Sequence, residues 1–394
     1  MKTIIVVYEG AADEPIKELD GRTPLQVSRA RNATRLAQSG CAGLILPHRL
    51  RAPWQRVGVL AQACGLDRSR AQALRRGPVE AWNLKPPPKA GSYVFRGELI
   101  TEDEEIIRNV DVVGLGLEET AELAEALNRT LGSQRCRIHA VAPGGLSIVS
   151  TDIGEDVVES MPASQILGQH LGEAMPRGRG YAPVRELMNK AAELLRGHPV
   201  NEVRVDLGEN PANALWIWGG GHWPDSAPEG RAVRDGVMLS RSIEGRGLAR
   251  MLGMETISLL DPLNANDEPW FRIPEVVSSM QRHDFMVADI NAPLAGGRFG
   301  SPVEKVRQLD RMDQNLLGPL VEVLDAYRPY RLVLVAGCAI SSVSGQPASI
   351  SLPILVGGDE LNADSVDRWD EQACTRGALG SMYLEEFMQR VWKS

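Results

Sequence analysis

The sequence predicts an α/β fold built on a mostly parallel sheet, with a second, smaller α/β unit inserted into it. Three observations lead there. The first is the near-continuous apolar run Ile4 to Tyr8, the pattern of a parallel strand buried on both faces, which stops abruptly at Glu9-Gly10. The second is that two later runs, Phe285 to Ile290 and Arg331 to Val335, have the same character and also end in small or polar residues. The third is the break at Pro86-Pro87-Pro88, after which strand and helix patterns start afresh. The expected division is a core domain from residues 1–90 and 206–394, with residues 91–205 as the insert.

The elements follow in order. Thr23 to Gly40 reads as one helix, with Pro24 suited to its first turn and Gly40 to its end. Gly43 to Leu46 is a short strand. In the insert, Ser92 to Thr101 and Arg137 to Val141 read as strands, and Glu118 to Leu131 and Pro183 to Arg196 as helices. Trp216 and Trp218 alternate with Leu215 and Ile217, a core strand running into Gly219-Gly220-Gly221. Gly247 to Met254 is a further helix.

Composition narrows the class. With 394 residues, 43% of them hydrophobic, the chain can bury a sizeable core. A formal charge of -8 argues against nucleic acid or an anionic membrane as partner, since both select clustered basic residues. The basic clusters at Arg49 to Arg56 and Arg68 to Arg76 are not interleaved with aromatics as a base-stacking surface requires. Five scattered cysteines without a CxxC pair suit reduced thiols, and no apolar run reaches the length of a membrane helix. With a strand starting directly after Met1-Lys2, the expected location is the cytoplasm.

Ligands in open α/β sheets collect at the carboxyl ends of strands, so Glu9 is a natural metal or substrate position; a solvated carboxylate before a turn is the plainer alternative. Asp13 follows in Ala12-Asp13-Glu14-Pro15-Ile16, then Leu19-Asp20-Gly21-Arg22-Thr23-Pro24-Leu25. This opening resembles that of the archaeal-type 2,3-bisphosphoglycerate-independent phosphoglycerate mutases, of the alkaline phosphatase superfamily, which read Asp-Gly, ADEPI and LDGKTPL. Asn210 to Gly221, NPANALWIWGGG, resembles the family's NPANAIWLWGQG, and Gly247 to Met254 its GIARLLGM. The resemblance runs from one end of the chain to the other. It implies an alkaline-phosphatase-like doubly wound sheet with an inserted domain, two manganese or magnesium ions, and a phosphoserine intermediate.

The residues that would carry that chemistry depart from the pattern. Glu9 stands for the family's metal-binding aspartate. The nucleophile position falls at Trp54 and Gln55, and no serine or threonine lies between Ser39 and Ser69; a carboxamide cannot form a phospho-enzyme. The family's EAPDEAGH segment corresponds to Asn291-Ala292-Pro293-Leu294-Ala295-Gly296-Gly297-Arg298, so an aspartate has become Leu294 and a histidine Arg298. Its Asp-His pair corresponds to Gly337-Cys338, and its last histidine falls near Gln346-Pro347. None of His48, His139, His170, His198, His222 and His283 occupies a ligand position, and no two have the spacing of a helical ligand pair. Pro143-Gly144-Gly145-Leu146-Ser147 replaces a Tyr-Arg-His triplet; Gly144-Gly145 reads either as backbone donors to an anion or as a turn.

The sequence therefore favours a pseudoenzyme with the mutase fold, without a metal cofactor, with Glu9, Asp13, Arg96, Asp152 and Arg298 as candidate contacts to a small anionic or phosphorylated ligand or with a role as a partner subunit. An ion pair between Glu9 and Arg298 in the former metal centre is the internal replacement it suggests. The alternative is an active mutase or related metal-dependent phosphotransferase using Glu9, Asp13, Asp152, Arg96 and Asp289. A purely structural protein is the third reading, favoured by exposed apolar patches on the insert.

Overall fold

A computed structural model describes the chain except residues 48–55, 111, 113, 154–157, 225–234, 261–267, 292–300, 360–361 and 394. It falls into two compact units, Met1–Gln72 with Glu229–Ser394, and Ala73–Pro228. The first holds an eight-stranded sheet in the order Glu255–Ile257, Gly236–Ser240, Phe285–Ile290, Lys2–Tyr8, Tyr330–Ala336, Leu352–Gly358, Cys41–Ile45 and Gly380–Met382. Every neighbouring pair is parallel except the two made by Leu352–Gly358. Ile4, Ile5, Val6 and Val7 are all inaccessible to solvent, so both faces of the first strand are covered, and this explains the unbroken apolar run.

The expected helix over 23–40 is two helices. Thr23 caps a single turn, Pro24–Val27, through a capping box with Gln26. The second, Arg31–Gln38, starts afresh because carboxylates distant in sequence take its first donors. Asp310 accepts from the Ser28 hydroxyl and the Arg29 amide, and Asp313 from the Asn32 and Ala33 amides. A short-range pattern contains no sign of such a cap.

The second unit carries a five-stranded antiparallel sheet in the order Ile106–Asn109, Tyr93–Asp103, Gly145–Ser150 and Cys136–Ala142, with Ala214–His222 also pairing Tyr93–Asp103. Leu117–Leu131 and Tyr181–Arg196 are its long helices. This unit is wider than residues 91–205 at both ends. At its start, helix Arg76–Ala81 packs directly on the sheet: a Cβ on Gly77 would lie 2.4 Å from the Val94 carbonyl oxygen. At its end, NPANALWIWGGG does not return the chain to the larger sheet but adds the strand Ala214–His222 to the smaller one. In the triple glycine there, Gly219 has a φ of 61° in the left-handed region, and Gly220 answers to space, since a Cβ on it would meet the rings of Phe95 and Tyr93 at 2.5–2.6 Å. Among the described residues, no helix is long and apolar enough to cross a membrane.

Candidate functional site

The site is assembled where three adjacent parallel strands end. Register places Tyr8 beside Ile290 on one side and Ala336 on the other. The pairing continues one residue further, the Glu9 amide donating to the Ile290 carbonyl at 2.8 Å and the Gly337 amide to the Tyr8 carbonyl at 2.9 Å. Glu9 and Gly337 are thereby fixed side by side. Glu9 is wholly buried, and the Cys338 thiol donates to its Oε2 at 3.2 Å. A Cβ added to Gly337 would lie 2.6 Å from Glu9 Oε1. Glu9 is thus not the solvated carboxylate of the plainer alternative.

Asp13 is equally buried and has its partners inside the protein. Its Oδ2 accepts from Lys305 Nζ at 2.9 Å and from both the amide and the hydroxyl of Ser342, at 2.9 and 2.7 Å. Its Oδ1 accepts from the Glu14 amide. Lys305 donates also to the carbonyls of Ala12 and Ile340, so all three ammonium protons are used. Burial pulls the Lys305 ammonium below the usual lysine range, and Asp13 opposes that pull. Behind this pair Glu371 accepts from the Asp13 amide and the Thr23 hydroxyl, while burial pushes its carboxyl up. The arrangement ties the loop after the first strand to helix Pro302–Met312 and to the hairpin Ala339–Ile340 with Pro347–Ala348. Asp289, at the end of Phe285–Ile290, accepts from the hydroxyls of Ser240 and Ser242, both at 2.7 Å.

In the second unit Arg96 pairs with Glu80 at 2.8 Å and lies 3.4 Å from Glu98. Burial alone pushes the Glu80 carboxyl up, but Arg96 and then Arg76 outweigh it and hold it below the usual carboxylate range. Gly145 makes room for this guanidinium, whose Nη1 would lie 2.6 Å from a Cβ there. The Gly144 amide donates to the Thr120 hydroxyl and its carbonyl accepts from Leu99, so of the two readings of Gly144-Gly145 the turn is the one formed. Asp152 is exposed and accepts from the Ser150 hydroxyl.

Comparison with known proteins gives the geometry its lineage. The family model for 2,3-bisphosphoglycerate-independent phosphoglycerate mutase matches residues 72–201. The 2,3-bisphosphoglycerate-independent phosphoglycerate mutase 2 of Methanothermobacter thermautotrophicus is 29% identical over 395 aligned residues, covering 99% of this chain and 96% of that protein. Along its whole length the chain is similar to this phosphoglycerate mutase family. Two solved structures share its fold. The PH0037 protein from Pyrococcus horikoshii has a TM-score of 0.72 at 20% identity, covering 100% of this chain and 97% of that one. The cofactor-independent phosphoglycerate mutase from Thermoplasma acidophilum has 0.54 at 22%, covering 100% and 99%.

Two divalent cations are what this mutase family implies, and the described residues do not fit them. No group of three or more His, Cys, Asp or Glu among them is placed to hold a metal ion. Asp13 and Asp289 already accept from protein donors, and Glu9 faces a thiol. Gly337 brings no ligand, Cys338 is bound to Glu9, and Pro347 sits in the hairpin opposite Ile340. His170 and His198 accept from backbone amides as helix N-caps, His222 stacks edge-on against Tyr93, and His283 meets the Glu255 carboxylate. Trp54, Gln55, Leu294 and Arg298 lie outside the described residues, and so does the expected Glu9 to Arg298 ion pair. Sequence reasoning missed Lys305 and Ser342, which approach Asp13 from about 290 and 330 positions away.

Proposed function

We propose that this chain is a member of the phosphoglycerate mutase family that has lost the phosphoserine nucleophile and the two-metal centre. It acts as a pseudoenzyme that binds a small anionic ligand or a protein partner in the cytoplasm. The observation that carries this reading is the condition of Glu9. It sits at the carboxyl end of the first strand, where a metal-binding carboxylate would be needed, yet it is fully buried and engaged by Cys338, with Gly337 directly beside it. A two-metal phosphotransfer centre needs several ionised or imidazole ligands open to the phosphoryl group. The sequence supports the same reading, with Trp54 and Gln55 at the nucleophile position.

A partner role draws support from the smaller unit, where Val203 and Leu207, one turn apart near the end of helix Pro199–Asp206, are 57% and 70% exposed.

The full-length likeness to proteins named as mutases favours the second reading, an active enzyme interconverting 3- and 2-phosphoglycerate with a non-standard residue set. Equilibrium dialysis with manganese followed by a coupled mutase assay separates the two. The expected result is neither stoichiometric binding nor turnover; tight manganese binding together with turnover establishes the enzyme instead.

A further inference from the structure

The crowding at Gly337 carries an inference beyond the loss of chemistry. The backbone at Gly337 lies outside the left-handed region, so conformation does not call for glycine there. Space does. A Cβ at this position would stand 2.6 Å from Glu9 Oε1, 2.8 Å from Glu9 Cδ and 2.9 Å from Val7 Cγ1. Backbone movement cannot relieve this cheaply, because the Gly337 amide is bonded to the Tyr8 carbonyl and the Glu9 amide to the Ile290 carbonyl, extending the pairing of three central strands. Two of the three obstructing atoms belong to one carboxylate.

We infer that Glu9 is a tethered ligand of its own strand-end chamber, and that Gly337 is the residue that admits it. The space the side chain fills is bounded on one side by Gly337, with the Cys338 thiol donating to Oε2, and leaves Glu9 no exposure to solvent. The atoms lost on replacing Glu9 by alanine, one methylene and one carboxylate, are those of an acetate ion apart from a hydrogen. Glu9→Ala therefore creates a site for a small monocarboxylate in a protein whose native chamber is occupied by its own side chain. This inference rests on the packing around Gly337 and stands or falls separately from the presence of metal or turnover.

The test has two arms, both read by thermal unfolding of the full chain. In the first, Gly337→Ala is made in the native and in the Glu9→Ala backgrounds. The expected result is a marked fall in melting temperature in the native background and recovery of at least half of it when Glu9 is shortened, the remainder reflecting Val7. In the second, Glu9→Ala is titrated with sodium acetate against sodium chloride at equal ionic strength. Its melting temperature should rise with acetate, as expected of a ligand that binds only the folded chain, while the native protein shows no such difference. In Glu9→Ala/Gly337→Ala the acetate effect should weaken, because the new methyl group enters the space. Equal effects of Gly337→Ala in both backgrounds overturn the inference. So does an acetate response no greater in Glu9→Ala than in the native protein, which decides the matter if neither Gly337→Ala variant folds.

Discussion

Replacing Lys305 by methionine is the sharpest test of how the strand ends are held. The ammonium is fully buried and its three protons go to Asp13 Oδ2, the Ala12 carbonyl and the Ile340 carbonyl at 2.7–3.0 Å. Methionine keeps the length of the side chain and removes the charge, so Asp13 becomes a buried carboxylate with no counter-charge from Lys305. Breaking one partner of a buried pair costs about 3–5 kcal/mol. Two carbonyls lose a donor as well, but Ser342 and Glu14 still donate to Asp13, which keeps the estimate near the lower end, about 3 kcal/mol. In a unit of about 240 residues, that is a fall in melting temperature of roughly 6–12 °C. Urea unfolding followed by tryptophan fluorescence measures it, and a cycle with Asp13→Asn isolates the pair. The double variant should be less destabilised than the sum of the singles by at least about 1 kcal/mol. A loss below about 1 kcal/mol for Lys305→Met, or strict additivity, would show that the network is not held by this charge pair.

Two further outcomes follow from the geometry. Glu80 is held below its ordinary value, so its contribution to stability is fully present above the unfolded carboxyl value of 4.5 and is lost as pH falls through the lowered folded value. Glu80→Gln should therefore destabilise the protein at pH 7 and flatten the stability profile below about pH 4.5; acid unfolding curves that run parallel for the two proteins would contradict this. Asp313→Ala removes the carboxylate that accepts from the amides of Asn32 and Ala33, and the loss of this cap should cost about 1–2 kcal/mol, read as earlier amide exchange in helix Arg31–Gln38. Protection unchanged in that helix would assign the cap elsewhere.

How far the sequence could be read depended on how far apart the interacting residues lie. Strands Phe285–Ile290 and Tyr330–Ala336, and helices Leu117–Leu131 and Tyr181–Arg196, were visible within a residue or two, because each depends on a local pattern of apolar residues. The break between the two short helices at Ser28 to Ala30 was not visible, because it is made by Asp310 and Asp313. The partner of strand Ala214–His222 was not either: its unbroken apolar run, buried on both faces, suits a core strand equally well in either sheet, and only the pairing with Tyr93–Asp103 decides between them. Glu9 was found as the residue following a buried strand. That Gly337 and Cys338 lie beside it, about 330 positions away, no local pattern shows; only the family resemblance, which assigns all three to the former metal centre, implied it.

A carboxylate at a strand end identifies a ligand site only when the protein itself leaves it something to bind, and three such carboxylates in this chain have been taken up by different donors. Asp13 has an ammonium and a hydroxyl, Asp289 has two hydroxyls, and Glu9 has a thiol. These differ in what they imply. Asp13 with Lys305 is a full charge pair and would be disrupted by a cation, since two positive groups would then compete for one buried anion. Asp289 accepts from two neutral hydroxyls, one of which, Ser242, also caps helix Ile243–Leu252 by accepting from the Gly245 amide. Turning that hydroxyl toward a ligand would therefore undo the cap. Glu9 accepts from a soft, weak donor, the Cys338 thiol, and it is the Glu9 carboxylate, more than backbone conformation, that restricts position 337 to glycine. Of the three, it is the position where function could most readily have been exchanged for packing, and the one at which a single shortened side chain should reopen the chamber.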